Sequence, residues 1–150
     1  MSTTVTTTAV INASPEDVWS VLTDFPAYER EGWNPFIRAI GGMPLVGTKL
    51  VVSLAGHGGK GMTFKPRVLV AEPARELRWV GKLGFGGLFD GEHSFVLSGN
   101  LDGTTTLVHA EEFSGLLIAL MRGASEGSSA GFEKFNDALR ERCEKLLASR

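Results

Sequence analysis

His93, His109 and Glu111 are the residues of this chain best suited to chemistry. They fall in two stretches, 89–98 and 104–113, that alternate apolar and polar residues as strands with one buried face do. On the first, His93 shares its parity with Phe95 and Leu97, opposite Glu92, Ser94, Val96 and Ser98. On the second, Leu107, His109, Glu111 and Phe113 share one face. A hairpin turn centred on Leu101 sets His93 across from His109 and Phe95 across from Leu107. Two imidazoles and a carboxylate then lie among apolar side chains.

A charge in such surroundings is costly unless it is paired, so Glu111 needs a histidine partner, water at a cavity mouth, or a proton of its own. Four readings stay open. The trio could be a satisfied structural network. It could supply polar anchors for an amphipathic ligand in an apolar pocket. It could perform general acid–base catalysis, with His93 or His109 titrating near neutral pH under the influence of Glu111. Two histidines and a glutamate could also supply three metal ligands, but their spacing matches no metal pattern, and no metal or cofactor is assigned.

Other residues carry weaker signals. The glycine-rich stretch 56–61 around His57 lacks the Lys-Ser/Thr of a phosphate-binding loop, and no GxGxxG opens a helix, so it reads as a hairpin turn. Cys143 lies on an apolar helical stripe and reads as a small core residue rather than a nucleophile.

These residues must be positioned by a sheet and a helix. The helix is the clearest element: over residues 129–149, Phe132, Phe135, Leu139, Cys143 and Leu146 recur at spacings of three and four. Upstream, residues 4–13 read as a strand with Val5, Ala9 and Ile11 on one face. Ser14 is placed to cap a short helix, Pro15 to start it, and Glu16 and Asp17 to meet its positive end. This helix should end near Asp24, because Pro26 disfavours helical geometry at Phe25. Residues 28–36 hold Tyr28, Trp33 and Phe36 without a regular period, as a short helix or lid-like turn. Trp33 and Phe36 suit either an entrance or burial against the long helix.

Strands follow at 37–40, 48–54, 62–71 and 75–83. Over 62–71 the inward set is Met62, Phe64, Pro66, Val68 and Val70, and over 75–83 it is Leu77, Trp79 and Leu83. Residues 84–87 read as a flexible connection, and 116–121 as the start of the helical tail. Gly123, Gly127 and Gly131 recur every four residues. They mark either a loop between two helices or one long helix with a bare strip.

Composition excludes several classes. At 150 residues the chain suits one domain, 1–150. A net charge of −2 with evenly mixed signs argues against nucleic acid as a partner. Cys143 is the single cysteine, so no internal disulfide forms. Neither a signal peptide nor a run of 18 apolar residues is present, so the expectation is a soluble, cytoplasmic protein without integral membrane association. Oligomeric state is not legible.

A strand, two short helices, a run of antiparallel strands and a long final helix resemble the START-like, or SRPBCC, superfamily, and most of all its polyketide cyclase/dehydrase-type branch. The resemblance rests on Ala13-Ser14-Pro15-Glu16-Asp17-Val18-Trp19 with Leu22-Thr23-Asp24, on Tyr28 with Trp33-Asn34-Pro35-Phe36, and on Leu77-Arg78-Trp79. It continues through Gly91-Glu92-His93-Ser94-Phe95, Glu111-Glu112-Phe113-Ser114-Gly115 and the stretch from Gly131 to Leu139. It implies an α+β helix-grip fold, a curved antiparallel sheet of about seven strands around the C-terminal helix with a largely apolar cavity between them. Such folds serve many functions, and no catalytic residue carries over.

The expected function is binding of a hydrophobic or amphipathic small molecule, lipid-like, polyketide-like or aromatic. The expected lining is Phe64, Trp79, His93, Phe95, Leu107, His109, Glu111, Phe132 and Phe135. The alternatives are a cyclase or dehydratase using His93, His109 and Glu111 without an organic cofactor, and an accessory protein acting through its surface.

Overall fold

The computed structural model describes residues 2–55, 61–82, 90–115 and 122–149. Strand β1 (Ser2–Ile11) buries Thr7 and Ile11 and leaves Thr6, Thr8 and Val10 exposed, so one face is committed to the core. Helix α1 (Pro15–Leu22) starts as its residues require. Ser14 Oγ accepts from the Asp17 N–H at 3.2 Å, Pro15 lies in the first turn, and Glu16 and Asp17 meet the positive end. Val18 and Leu22 are its buried side.

Helix α2 (Phe25–Glu31) begins earlier than the 28–36 segment expected for it. Pro26 stands in its first turn, where a missing N–H has no helical partner to lose. The helix stops at Gly32, whose φ of 57° is the left-handed conformation glycine adopts without a steric penalty. Tyr28 is buried, its hydroxyl donating to the Leu22 carbonyl at 2.7 Å.

Strands β2 (Ile37–Gly41), β3 (Val51–Leu54) and β4 (Met62–Phe64) form a three-stranded antiparallel sheet in that order. The single strand expected over 62–71 is divided at Pro66, which has no N–H to give a ladder. Beyond it, β5 (Arg67–Glu72) joins the larger sheet with β6 (Glu76–Lys82), β7 (Asp90–Gly99) and β8 (Thr105–Ser114), in the order β1-β8-β7-β6-β5. The described strands therefore number eight. Inward parity carries across the break through Phe64, Pro66, Val68 and Val70, and only Met62, expected inside, departs from it at 61% exposed. The two sheets are tied where Leu50 N–H donates to the Pro66 carbonyl at 2.7 Å and Val68 N–H to the Thr48 carbonyl at 2.9 Å.

Helix α3 (Arg122–Ala148) lies against β1, β8 and α1. It is one long helix, and Gly123, Gly127 and Gly131 lie within it. The bare strip has a use at Gly131, where a Cβ would come within 2.7 Å of the Phe36 ring. Phe132, Phe135, Leu139 and Cys143 are buried as expected, but Leu146 is 37% exposed. The helical period of 3.6 residues carries the seam from Cys143 to Leu147 instead, which packs on the core. Trp33 and Phe36 pack against α3, with ring centroids 6.5 Å from Phe135 and 5.7 Å from Phe132 respectively. The turn expected around His57, the connection at 84–87 and the helical start at 116–121 lie outside the described residues.

Candidate functional site

Strands β7 and β8 pair so that His93 faces Glu111, Phe95 faces His109 and Leu97 faces Leu107. The expected pairing of His93 with His109 is thus displaced by two residues, because the turn centres on Asp102 rather than Leu101. Asp102 holds that turn by accepting from the Thr104 N–H at 3.0 Å and the Thr104 hydroxyl at 2.6 Å, and these bonds hold its carboxyl below the ordinary range. Gly103, with φ 88°, completes it. A displacement of two leaves every side chain on its original face, so the trio still converges.

The two imidazoles meet diagonally across the strand pair, Nε2 against Nε2. His109 is sandwiched between Phe95 and Phe132, with centroids 4.5 and 4.4 Å away and near-parallel planes. Trp79 and Phe135 complete the ring cluster. Among the expected lining residues, Trp79, Phe95, Leu107, Phe132 and Phe135 are each no more than 2% exposed. They fill the space between sheet and helix around the histidines. Leu107 lies two register steps from Glu111, opposite Leu97.

One carbonyl fixes the direction of every hydrogen bond in the cluster. The Thr7 hydroxyl donates to the backbone carbonyl of His109 at 3.1 Å, so its oxygen must accept from Asn136 Nδ2 at 2.8 Å. Asn136 Oδ1 then faces His109 Nδ1 at 2.8 Å and can only accept, which places a proton on His109 Nδ1. Burial, followed by the neighbouring His93, pushes His109 well below the usual imidazole pKa, against the smaller opposing pull of Asn136. The ring is therefore neutral, its Nε2 is bare, and His93 Nε2–H donates to it. What remains is His93 Nδ1, 3.6 Å from Glu111 Oε2. The two groups stand beyond hydrogen-bond distance, in a geometry that becomes an ion pair when the imidazole is protonated.

Glu111 is the open end of this chain. Its side chain is 18% exposed, against 5% for His93. Space for the carboxylate is made by Gly91 on the same face of β7: a Cβ there would sit 2.6 Å from Oε2. Gly91 pairs with Gly81 on β6 and with Phe113 on β8, and Phe64 lies over Gly81. Among the described residues the inner face thus ends in a row with two bare glycines between Phe64 and Phe113, next to Trp79, whose indole Nε1 has no partner among those residues. Also among the described residues, no group of three or more His, Cys, Asp or Glu is arranged to hold a metal ion.

Sequence reasoning missed Thr7, Asn136 and Gly91. Each left a signal. Thr7 shares the parity of Val5, Ala9 and Ile11; Asn136 falls between Phe132 and Leu139 on the buried stripe; and Gly91 shares the face of His93. Cys143 is buried, its thiol pushed up to about 12 chiefly by desolvation, which removes it as a nucleophile.

The sequence model of the family described as polyketide cyclase / dehydrase and lipid transport matches residues 2–144. The chain belongs to that family. No curated protein matches it. Its fold, a START-like helix grip, is that of a START superfamily protein from Mycobacterium smegmatis (21% identity, 95% of this chain and 98% of that one, TM-score 0.74). It is also similar to the ZhuI aromatase/cyclase from Streptomyces sp. R1128 (19% identity, 98% and 96% covered, TM-score 0.71). Norcoclaurine synthase from Thalictrum flavum shares it as well (14% identity, 97% and 96% covered, TM-score 0.70). Membership of the polyketide cyclase / dehydrase and lipid transport family supports a ligand-binding pocket or a cyclase role. Among the described residues no helix is long and apolar enough to cross a membrane.

Proposed function

We propose that this protein binds a hydrophobic or amphipathic small molecule, lipid-like, polyketide-like or aromatic, at the Glu111 end of the inner sheet face. The carrying observation is the partly exposed Glu111 carboxylate, which faces the buried histidine pair at 3.6 Å and is set in the clearance left by Gly91. Apolar walls with a few oriented polar groups are what such ligands require. Phe64, Phe113 and Trp79 would line the body of the ligand, and Glu111 with the Trp79 N–H would orient its polar head. Native mass spectrometry of protein purified without added ligand tests this. The expected result is a passenger of this class on the wild type that is lost from Glu111→Gln. A passenger retained equally by both proteins, or none on either after exposure to a panel of fatty acids and aromatic polyketides, would overturn it.

The Glu111 carboxylate facing His93 Nδ1 at 3.6 Å favours a second reading, a cyclase or dehydratase. In that chemistry the Glu111 carboxylate takes a proton from a carbon between two ketones. The carbanion closes onto a carbonyl of the same molecule and the carboxylic acid returns the proton to the alkoxide; the carboxylate then takes the remaining proton of that carbon and delivers it to the hydroxyl, which leaves as water as the carbon–carbon double bond forms. His93 positions Glu111. Turnover of a poly-β-ketone thioester should fall at least a hundredfold in Glu111→Gln, with a shifted pH profile in His93→Ala. Unchanged turnover in folded His93→Ala and His109→Ala proteins would remove the histidines from the reaction.

A further inference from the structure

A second cleft, of about 570 Å³, lies at the end of the small sheet where Leu54 pairs with Met62. Ala39, Ser53 and Thr63 form one cross-strand row there, while the alternate row of Ile40, Val52 and Phe64 turns to the core. Glu29, Gly32 and Asn34, from the end of α2 and the segment after it, form the other wall. We propose that this cleft is a separate binding site for a small monocarboxylate with a short apolar body.

Polar groups of four residues support the assignment. Arg38 lines the cleft and makes no ion pair among the described residues. Its guanidinium lies beside Gly61, where a Cβ would stand 3.4 Å from Nη1 and 2.6 Å from the Leu54 carbonyl. Asn34 is 5% exposed, and its Oδ1 is held by the N–H groups of Phe36 and Ile37 at 2.9 Å each. That locks the amide and leaves Nδ2 with no partner among the described residues, a buried donor that calls for an acceptor. The Ser53 and Thr63 hydroxyls lie 3.4 Å apart in the same lining.

The remaining lining sets the ligand class. Leu54 and Met62, the latter 61% exposed, offer an apolar surface. A planar carboxylate matches the guanidinium fork. Glu29 in the same lining repels a phosphate dianion more strongly than a monoanion.

The test is a nitrogen–proton NMR titration that follows the Arg38 Nε–H, the Asn34 side-chain NH2 and the Ser53 and Thr63 amides. The probes are octanoate, octanol and inorganic phosphate. Octanoate should move these signals, and octanol and phosphate at equal concentration should not. Arg38→Gln, at an exposed position, should weaken octanoate binding at least tenfold, while Glu111→Gln leaves it unchanged. The site is overturned if octanoate moves none of these signals, if Arg38→Gln binds it equally well, or if the shifts fall on Trp79 and Phe113 and respond to Glu111→Gln. Phosphate moving the same signals as strongly would overturn the carboxylate assignment. Failure of the inner-face reading leaves this result untouched, because the two sites answer to different variants.

Discussion

His93 and His109, one register step apart on neighbouring strands, meet through their Nε2 atoms, and only one of those nitrogens can carry the bridging proton. The bond directions set by Thr7 and Asn136 give it to His93. Long-range nitrogen–proton NMR at pH 7.5 should therefore find His109 protonated on Nδ1 and bare on Nε2, a tautomer that is the minor one in free imidazole side chains. In Asn136→Leu, which has no acceptor at that position, the tautomer preference should weaken. That variant should also lose about 2–4 kcal/mol of stability, since it leaves both the His109 Nδ1–H and the Thr7 hydroxyl oxygen without their partner. An Nε2–H tautomer of His109 in the wild type would reverse the whole chain of inference out to Glu111.

Stability should fall on mild acidification for the same reason. The folded state holds the His109 pKa well below its unfolded value near 6.5, so the folded state binds fewer protons than the unfolded one in the interval beneath that value. Stability is complete above about pH 6.5 and declines as the pH drops through this window, by at most about 1.4 kcal/mol per pH unit for one proton. Urea midpoints at pH 7.5 and 5.0 measure it. His109→Phe, which keeps a flat ring between Phe95 and Phe132, should show a smaller difference between the two pH values. An equal difference would assign the effect to other groups.

The residues of the site were legible in the sequence, but their connection was not. Parity along a strand is a property of the local chain, so His93, His109 and Glu111 could be placed on one face before any partner was known. Register depends on turn chemistry, and Asp102, which accepts twice from Thr104, moved the turn one residue beyond Leu101. The proton order depends on β1 and α3 meeting at Thr7 and Asn136, 129 residues apart in the chain, which no local pattern encodes. At Pro66 the limit was different. A continuous alternation hid a change of sheet, because periodicity reports which face is apolar but not which neighbour the strand pairs with. The helical glycines were ambiguous for a third reason: propensity argues against them inside a helix, and only the packing of Phe36 shows why Gly131 is there.

That packing makes Gly131→Ala a test of which effect governs the strip. Alanine is favoured over glycine in a helix interior by about 1 kcal/mol, so intrinsic propensity alone expects stabilisation. The added Cβ would come within 2.7 and 2.9 Å of two carbons of the Phe36 ring, and that ring packs edge-on against Phe132 at 5.7 Å, which limits where it can go. Overpacking of this kind costs about 1–3 kcal/mol, so the substitution should destabilise the protein despite its better propensity. The background decides the sign. In Phe36→Ala the obstruction is gone, and adding Gly131→Ala should then stabilise by up to about 1 kcal/mol. Urea denaturation of the four proteins in this cycle gives the coupling directly. A stabilising Gly131→Ala in the wild-type background would mean that Phe36 moves aside freely and that the glycine strip serves something other than this contact.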